Sequence, residues 1–341
     1  MSDASSARSS TEVRTPLIGC VIIGRNEGRR LETSLRSLTA CCDDSIYVDS
    51  GSTDGSPELA ESLGYEVHRL NPSLPFTAAR ARNAGAELLT ERQPDLEMLQ
   101  FVDGDCEIDA HWLRVGSAAL AGDDSLAVVV GQGRERDPQS SVFQRLADIE
   151  WRTTPGEILA CGGIALIRVT AFQAVNGYAS DLIAGEEPEM CLRLRRAGWR
   201  LRCLDAPMMT HDLGMTRMRQ WWQRSKRGGY AAAEGAHRHG RSPERYCVST
   251  VRRALFWGAV WPATIVLAAY PTDGYSMLML IAYLYPARGA IRYARRCGAD
   301  FGAAVEYALF NTLGKFAECS GVLRCWLDRL RRRQPELIEH K

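Results

Sequence analysis

The chain contains no CxxC pair, no G-x-G-x-x-G turn, no G-x-x-x-x-G-K-[ST] loop and no internal repeat. Each absence removes a class of protein. Without CxxC, the eleven cysteines do not read as a zinc or thioredoxin-like site. They are scattered, and adjacent Cys41 and Cys42 are poorly placed to share a metal, so free thiols of a reducing compartment are expected and no disulfide framework. Without the glycine fingerprints, neither a nicotinamide-binding Rossmann domain nor a P-loop is indicated, and phosphates would have to be held another way. An excess of one charge is also lacking: 42 Lys and Arg stand against 41 Asp and Glu, a net charge of +1, so nucleic acid is not the implied partner. The first fourteen residues are Ser-rich and polar with no apolar h-region, which reads as a disordered tail (1–14) rather than a secretory signal.

What is present is an alternation of strands and helices. Leu17 to Ile23 is a short apolar run rich in β-branched residues, the pattern of a strand covered on both faces. Gly24-Arg-Asn-Glu-Gly28 turns the chain into a helix with Leu31, Leu35 and Leu38 on one side. A second strand, Ser45 to Val48, ends in Asp49-Ser-Gly-Ser-Thr-Asp-Gly55, and a helix resumes near Pro57. A third strand is expected at Glu66 to Arg69, a helix from about Thr77 to Leu89, and a fourth strand at Leu99 to Val102. Four such alternations predict an α/β fold with a mostly parallel, doubly wound sheet. The fourth strand ends in Asp103-Gly-Asp105. Ligands of such sheets bind beyond the carboxyl ends of the strands. Two carboxylates there suit a hard divalent cation that holds a diphosphate, although Asp-Gly-Asp is also ordinary turn chemistry.

Taken in order, Val21-Ile-Ile-Gly-Arg-Asn-Glu27, Val48-Asp-Ser-Gly-Ser-Thr-Asp-Gly55, Ala81-Arg-Asn-Ala-Gly85, Asp103-Gly-Asp105 and Gly185-Glu-Glu-Pro-Glu-Met-Cys-Leu-Arg-Leu-Arg-Arg-Ala-Gly-Trp199 resemble the motifs of family 2 glycosyltransferases of the GT-A fold. The resemblance covers roughly residues 15–235 and implies an inverting, metal-dependent transferase. It places a nucleotide pocket at Asn26, Glu27, Asp49, Arg82 and Asp103, with Arg224 and Lys226 as further phosphate contacts. Ser50 stands where many relatives carry a second aspartate, which leaves the base open. Arg80 and Arg82, two apart on a helix, do not share a face; only one can approach the diphosphate, and Arg82 fits the motif better. Asp105 would bind Mg²⁺ or Mn²⁺, with His211 either a late metal ligand or a structural histidine. The acidic pair supplies the catalytic base, Glu187 as the second acidic residue and Glu186 as its rival. The stretch Ala160 to Ile167 reads as a Gly-kinked strand whose paired glycines suggest close backbone approach. His211 follows a strand-like Leu201 to Leu204 and an Ala-Pro turn. Processive relatives carry Gln-x-x-Arg-Trp; here Gln223-Arg-Ser-Lys-Arg227 has no following Trp, which implies transfer of a single sugar.

The expected domains are a catalytic region over 15–240 and a helical region over 241–341. Between Arg253 and Arg288 the only charged residue is Asp273, in a turn that separates the runs 254–269 and 275–287. Both runs are shorter than the roughly 20 residues of a full span. Arginines bracket this hydrophobic hairpin (254–287), with Arg252 and Arg253 before it and Arg288, Arg292, Arg295 and Arg296 after. With interfacial aromatics, the pattern is expected to associate with the cytoplasmic face of the cell membrane. The alternative is a soluble helical cover over a core. A basic amphipathic tail helix is expected over 316–333. The expected donor is a UDP-, GDP- or dTDP-sugar and the acceptor a saccharide, plausibly lipid-linked, for a cell-surface polysaccharide. Competing readings are a nucleotidyltransferase, which would need a Gly-rich basic first loop, and a non-catalytic membrane scaffold.

Overall fold

The computed structural model describes residues 16–39, 42 and 44–332. The expected tail over 1–14, Cys41 and the end of the basic segment lie outside them. The first half alternates as expected: β1 (Ile18–Gly24), α1 (Arg29–Thr39), β2 (Asp44–Asp49), α2 (Ser56–Ser62), β3 (Glu66–Arg69), α3 (Ala78–Arg92) and β4 (Met98–Asp103). The reasons are local. β1 buries its five central residues, as an apolar run inside a parallel sheet must. α1 buries Leu31, Leu35 and Leu38 along one stripe; each stabilises the fold by about 1.5–3 kcal/mol relative to exposure. Thr77 caps α3, its hydroxyl accepting from the Arg80 N–H at 3.1 Å.

The remainder is β5 (Cys106–Ile108), α4 (Trp112–Ala121), β6 (Leu126–Glu135), α5 (Val142–Trp151), β7 (Gly156–Glu157), β8 (Ala165–Arg168), α6 (Val169–Ala174), α7 (Glu186–Arg196), β9 (Arg200–His211) and α8 (Met218–His239). The sheet order is β3-β2-β1-β4-β8-β6-β9-β5, with β7 pairing β9. The strands β1 to β4 pair in parallel. β8 is antiparallel to both β4 and β6, and β5 to β9, so the sheet is mixed beyond β4. Gln100, fully buried in β4, accepts from the indole N–H of Trp112 at 2.8 Å, which satisfies a polar side chain in the core.

Three expectations are corrected here. The Ala206-Pro207 step does not turn the chain. β9 runs through it to His211, and register shifts against β6 absorb the irregularity. Of the 160–167 stretch only the last three residues are strand, in β8 (Ala165–Arg168). Cys20 of β1 pairs with Cys42 as a disulfide, Cα atoms 6.6 Å apart, so the expectation of free thiols holds only for the other eight described cysteines.

The C-terminal part is α9 (Val248–Leu255), a π-helical turn over Phe256–Val260, α10 (Trp261–Ala269), a 3₁₀ segment over Tyr275–Tyr283, α11 (Leu284–Arg296) and α12 (Phe301–Leu330). The expected tail helix is the end of one thirty-residue helix that starts at Phe301, where Asp300 accepts from the Ala303 N–H at 2.9 Å as its cap. α12 packs most extensively against α8. A Cβ on Gly229 of α8 would overlap the Glu318 backbone, and one on Gly321 the Lys226 carbonyl, so the two helices cross nearly in backbone contact. α8 therefore belongs physically to the helical bundle as much as to the sheet domain to which its sequence position assigns it. Among the described residues, no helix is long and apolar enough to cross a membrane.

Candidate active site

The parallel register places Asp49 opposite Gly24 and Asp103 opposite Ile23, so the second and fourth strands end on either side of β1 at one edge of the sheet. The loops there are tied to one another. Asp49, buried, accepts from the N–H groups of Gly51 and Ser52, both at 2.9 Å. Asn26, at φ 55°, accepts from the Thr53 N–H at 2.8 Å. Glu27 is buried and pairs with Arg30 at 3.1 Å. These three candidate nucleotide contacts are thus assembled in one place, shaping the two loops that flank β1 and β2. Beside them the Arg25 guanidinium lies 5.6 Å from the Phe76 ring, which packs on Gly51.

Arg82 is the junction of the site. It is 97 % shielded from solvent, and its guanidinium donates to Glu186 and to Asp103, both at 2.8 Å. Tyr178 stacks 5.5 Å from it. A Cβ on Gly163 would come within 2.7 Å of Arg82 Nη2 and 2.8 Å of Asp103 Oδ2, so the paired glycines do admit close backbone approach, here to this ion cluster. Arg80 instead turns outward and donates to the carbonyls of Leu74 and Asn71 at 2.9 and 3.3 Å. The two arginines divide as their helical spacing requires.

Gly185, at φ 78°, opens α7 in a conformation that suits glycine, and the acidic pair follows at the helix N-terminus. The two glutamates have different fates. Glu186 is consumed by its ion pair with Arg82. Glu187 has no ion pair among the described residues. Burial, and then the charge of Glu186, push its pKa up to about 7, against opposing pulls from Arg82 and Arg227. A carboxylate held near neutrality can take up a proton and release it again.

Asp105, Cys106 and His211 form a second cluster. One donor atom of each lies within 4.8 Å of the others, and all three residues are buried. β5 pairs with β9 so that Cys106 faces His211, and β6 pairs so that Glu135 faces His211 from the other side. Glu135 Oε2 lies 3.0 Å from His211 Nδ1, which leaves Nε2 directed to Asp105 Oδ1 at 3.6 Å. That distance is too long for a hydrogen bond and suits two donors that share a cation. A carboxylate oxygen and an oriented imidazole are donors that fit a divalent cation. The Cys106 thiol lies 3.7 Å from Asp105 Oδ1 and donates to it. Burial draws the His211 pKa down, but the Glu135 hydrogen bond and the charge of Asp105 outweigh it and the net shift is upward.

Arg224 and Lys226 are not brought to this edge in the same way. Arg224 donates to Glu150 of α5 at 2.7 Å, a contact between helices. Lys226 has no ionic partner among the described residues, and its backbone lies against Gly321 of α12. Arg227, the next residue along, acts with Arg82 on the charge of Glu187. Sequence reasoning also passed over Glu135 and Tyr178. Glu135 lies in Gly131-Gln-Gly-Arg-Glu-Arg136, where nothing in the spacing sets it apart from a solvated charge.

The mixed sheet with its flanking helices has the architecture of the GT-A fold. Residues 20–175 match the family model described as glycosyl transferase family 2. A pre-mycofactocin glycosyltransferase of Mycobacterium tuberculosis is 29 % identical over 231 residues, which cover 62 % of this chain and 45 % of the relative. The chain thus spans about half the length of that relative. The succinoglycan biosynthesis protein ExoA of Rhizobium meliloti is 28 % identical over 236 residues, covering 63 % and 69 %. Among solved structures, the Pyrobaculum calidifontis mannosyltransferase PcManGT, in complex with GDP-Man and Mn²⁺, superposes with a TM-score of 0.56 at 17 % identity, covering 93 % of this chain and 88 % of that one. Residues 1–349 of Staphylococcus aureus TarS give a TM-score of 0.50 at 14 % identity, covering 86 % and 90 %. These likenesses carry the fold.

Proposed function

We propose that the protein is an inverting glycosyltransferase that moves a single sugar from a nucleotide-sugar to an acceptor hydroxyl, with Glu187 as the base. The observation that carries this reading is the division of the acidic pair at the start of α7, in which Glu186 is held by Arg82 and Glu187 is left without an ion pair among the described residues. In the reaction Glu187 takes the proton from the acceptor oxygen as that oxygen attacks the anomeric carbon, and the bond to the nucleoside diphosphate breaks. Asp105 and His211 would hold Mg²⁺ or Mn²⁺, which supplies charge neutralisation for the departing diphosphate. Arg82 fixes Asp103 and Glu186 at their positions beside it. Asn26, Glu27 and Asp49 shape the wall on which the nucleoside rests.

The named relatives favour this reading over nucleotidyl transfer. One acts on pre-mycofactocin, one takes part in succinoglycan biosynthesis, and the mannosyltransferase binds GDP-Man with Mn²⁺. A saccharide acceptor for a cell-surface polysaccharide, lipid-linked or free, follows the second of these. Calorimetric titration with UDP, GDP and dTDP, with and without Mn²⁺, tests it. One nucleotide is expected to bind, with affinity lost when metal is withheld or in Asp105→Ala. Folded protein that binds none of them would refute the proposal and favour a non-catalytic scaffold.

A further inference from the structure

The hairpin formed by the π-turn, α10 and the 3₁₀ segment turns its large apolar side chains outward. Leu267 is 78 % exposed, Leu278 72 %, Ile281 70 % and Tyr285 80 %, and Val266 and Leu280 are exposed with them. Residues 256–285 carry one charge, Asp273, at the turn. So many exposed large apolar side chains in one hairpin, with one charge among them, mark a surface that meets a partner. At the other end of the hairpin stand Arg252, Arg253, Arg288, Arg292, Arg295 and Arg296, all exposed and none with a carboxylate partner among the described residues. Elsewhere the chain pairs its surface arginines readily, as in Arg196 with Glu244 and Arg145 with Glu306.

We propose that this hairpin docks flat on an anionic lipid surface, its leucines and isoleucines among the acyl chains and the six arginines on the headgroups. The inference stands independently of the transfer reaction. A flat arrangement follows from the placement of charge. Asp273 marks one end and the arginines the other, so a perpendicular insertion would carry Asp273 into hydrocarbon, whereas a parallel one leaves both ends at headgroup level. The aromatic content agrees: Tyr270 and Tyr275 flank the turn, and the Tyr283 hydroxyl donates to the Trp257 carbonyl at 2.7 Å inside the hairpin. The six unpaired cations distinguish a lipid surface from an apolar protein partner, which would not need them. They also decide the kind of lipid, since each arginine near an anionic surface strengthens binding about fivefold.

The test is sedimentation of the full chain with vesicles of phosphatidylcholine alone and of phosphatidylcholine mixed with phosphatidylglycerol. The protein should bind the mixed vesicles and bind neutral ones far more weakly. Arg292→Glu/Arg295→Glu/Arg296→Glu should weaken binding to the mixed vesicles by about 100-fold or more. Leu278→Glu/Ile281→Glu should abolish binding to both, with its thermal unfolding unchanged because both positions are exposed. Binding to neither vesicle by the wild-type chain would overturn the proposal. So would a stable dimer that Leu278→Glu/Ile281→Glu converts to monomer, since a second copy would then be what covers the face. Nucleotide binding is read separately, so failure here leaves the transfer reaction untouched.

Discussion

At the carboxyl edge of the sheet, Glu27, Asp49 and Glu186 are buried and each meets a cation or a donor. On the 256–285 hairpin, leucines and tyrosines face outward beside a single charged residue. Each region inverts the ordinary rule of apolar inside and charged outside, and each inversion carries a cost that packing alone does not repay. A buried ion such as Glu186 is tolerated only because Arg82 meets it at 2.8 Å. An exposed leucine such as Leu267 is tolerated only where something other than water covers it. The difference lies in how each is satisfied: the edge is completed from within the chain, and the hairpin is left to be completed from outside it.

The contrast can be broken most severely at the edge. Glu187→Gln removes the only carboxylate of the acidic pair not held in an ion pair, so transfer should fall by about 10²–10⁴-fold while nucleotide binding persists, as activity and calorimetry would read. Arg82→Met leaves buried Glu186 and half-buried Asp103 without their cation. Urea unfolding should then show a loss of about 3–5 kcal/mol, whereas Arg80→Met, on the outward face of the same helix, should change stability little. Glu135→Gln is smaller still. His211 keeps its place in β9 but loses the carboxylate that sets its tautomer, and Mn²⁺ affinity measured by titration should fall about 10–100-fold with the fold intact.

Much of the edge was legible because its residues sit where strands end. An apolar run followed by Asp103-Gly-Asp105 locates a site in any open α/β sheet, and Gly185-Glu-Glu locates a helix start. What stayed hidden depends on pairings between distant segments. Glu135 becomes meaningful only when β6 lies beside β9 and faces His211. Arg82 meets Asp103 and Glu186 only when the ends of β4 and α7 lie beside α3. The disulfide between Cys20 and Cys42 and the continuity of β9 through Pro207 are likewise set by neighbours in space. The hairpin was legible as a low-charge segment bracketed by arginines. Its division into π, α and 3₁₀ turns was not, because a uniformly apolar run carries no periodicity to read.

The pH dependence of transfer by the wild-type chain, at saturating donor and metal, tests the central claim most directly. Glu187 is inactive as a base while protonated, and its pKa is raised to about 7. The rate should therefore climb about tenfold per pH unit below pH 7 and level off above it. A rate already level between pH 5 and pH 7 would mean that the base ionises as an ordinary carboxylate, and that Glu187 does not play that part.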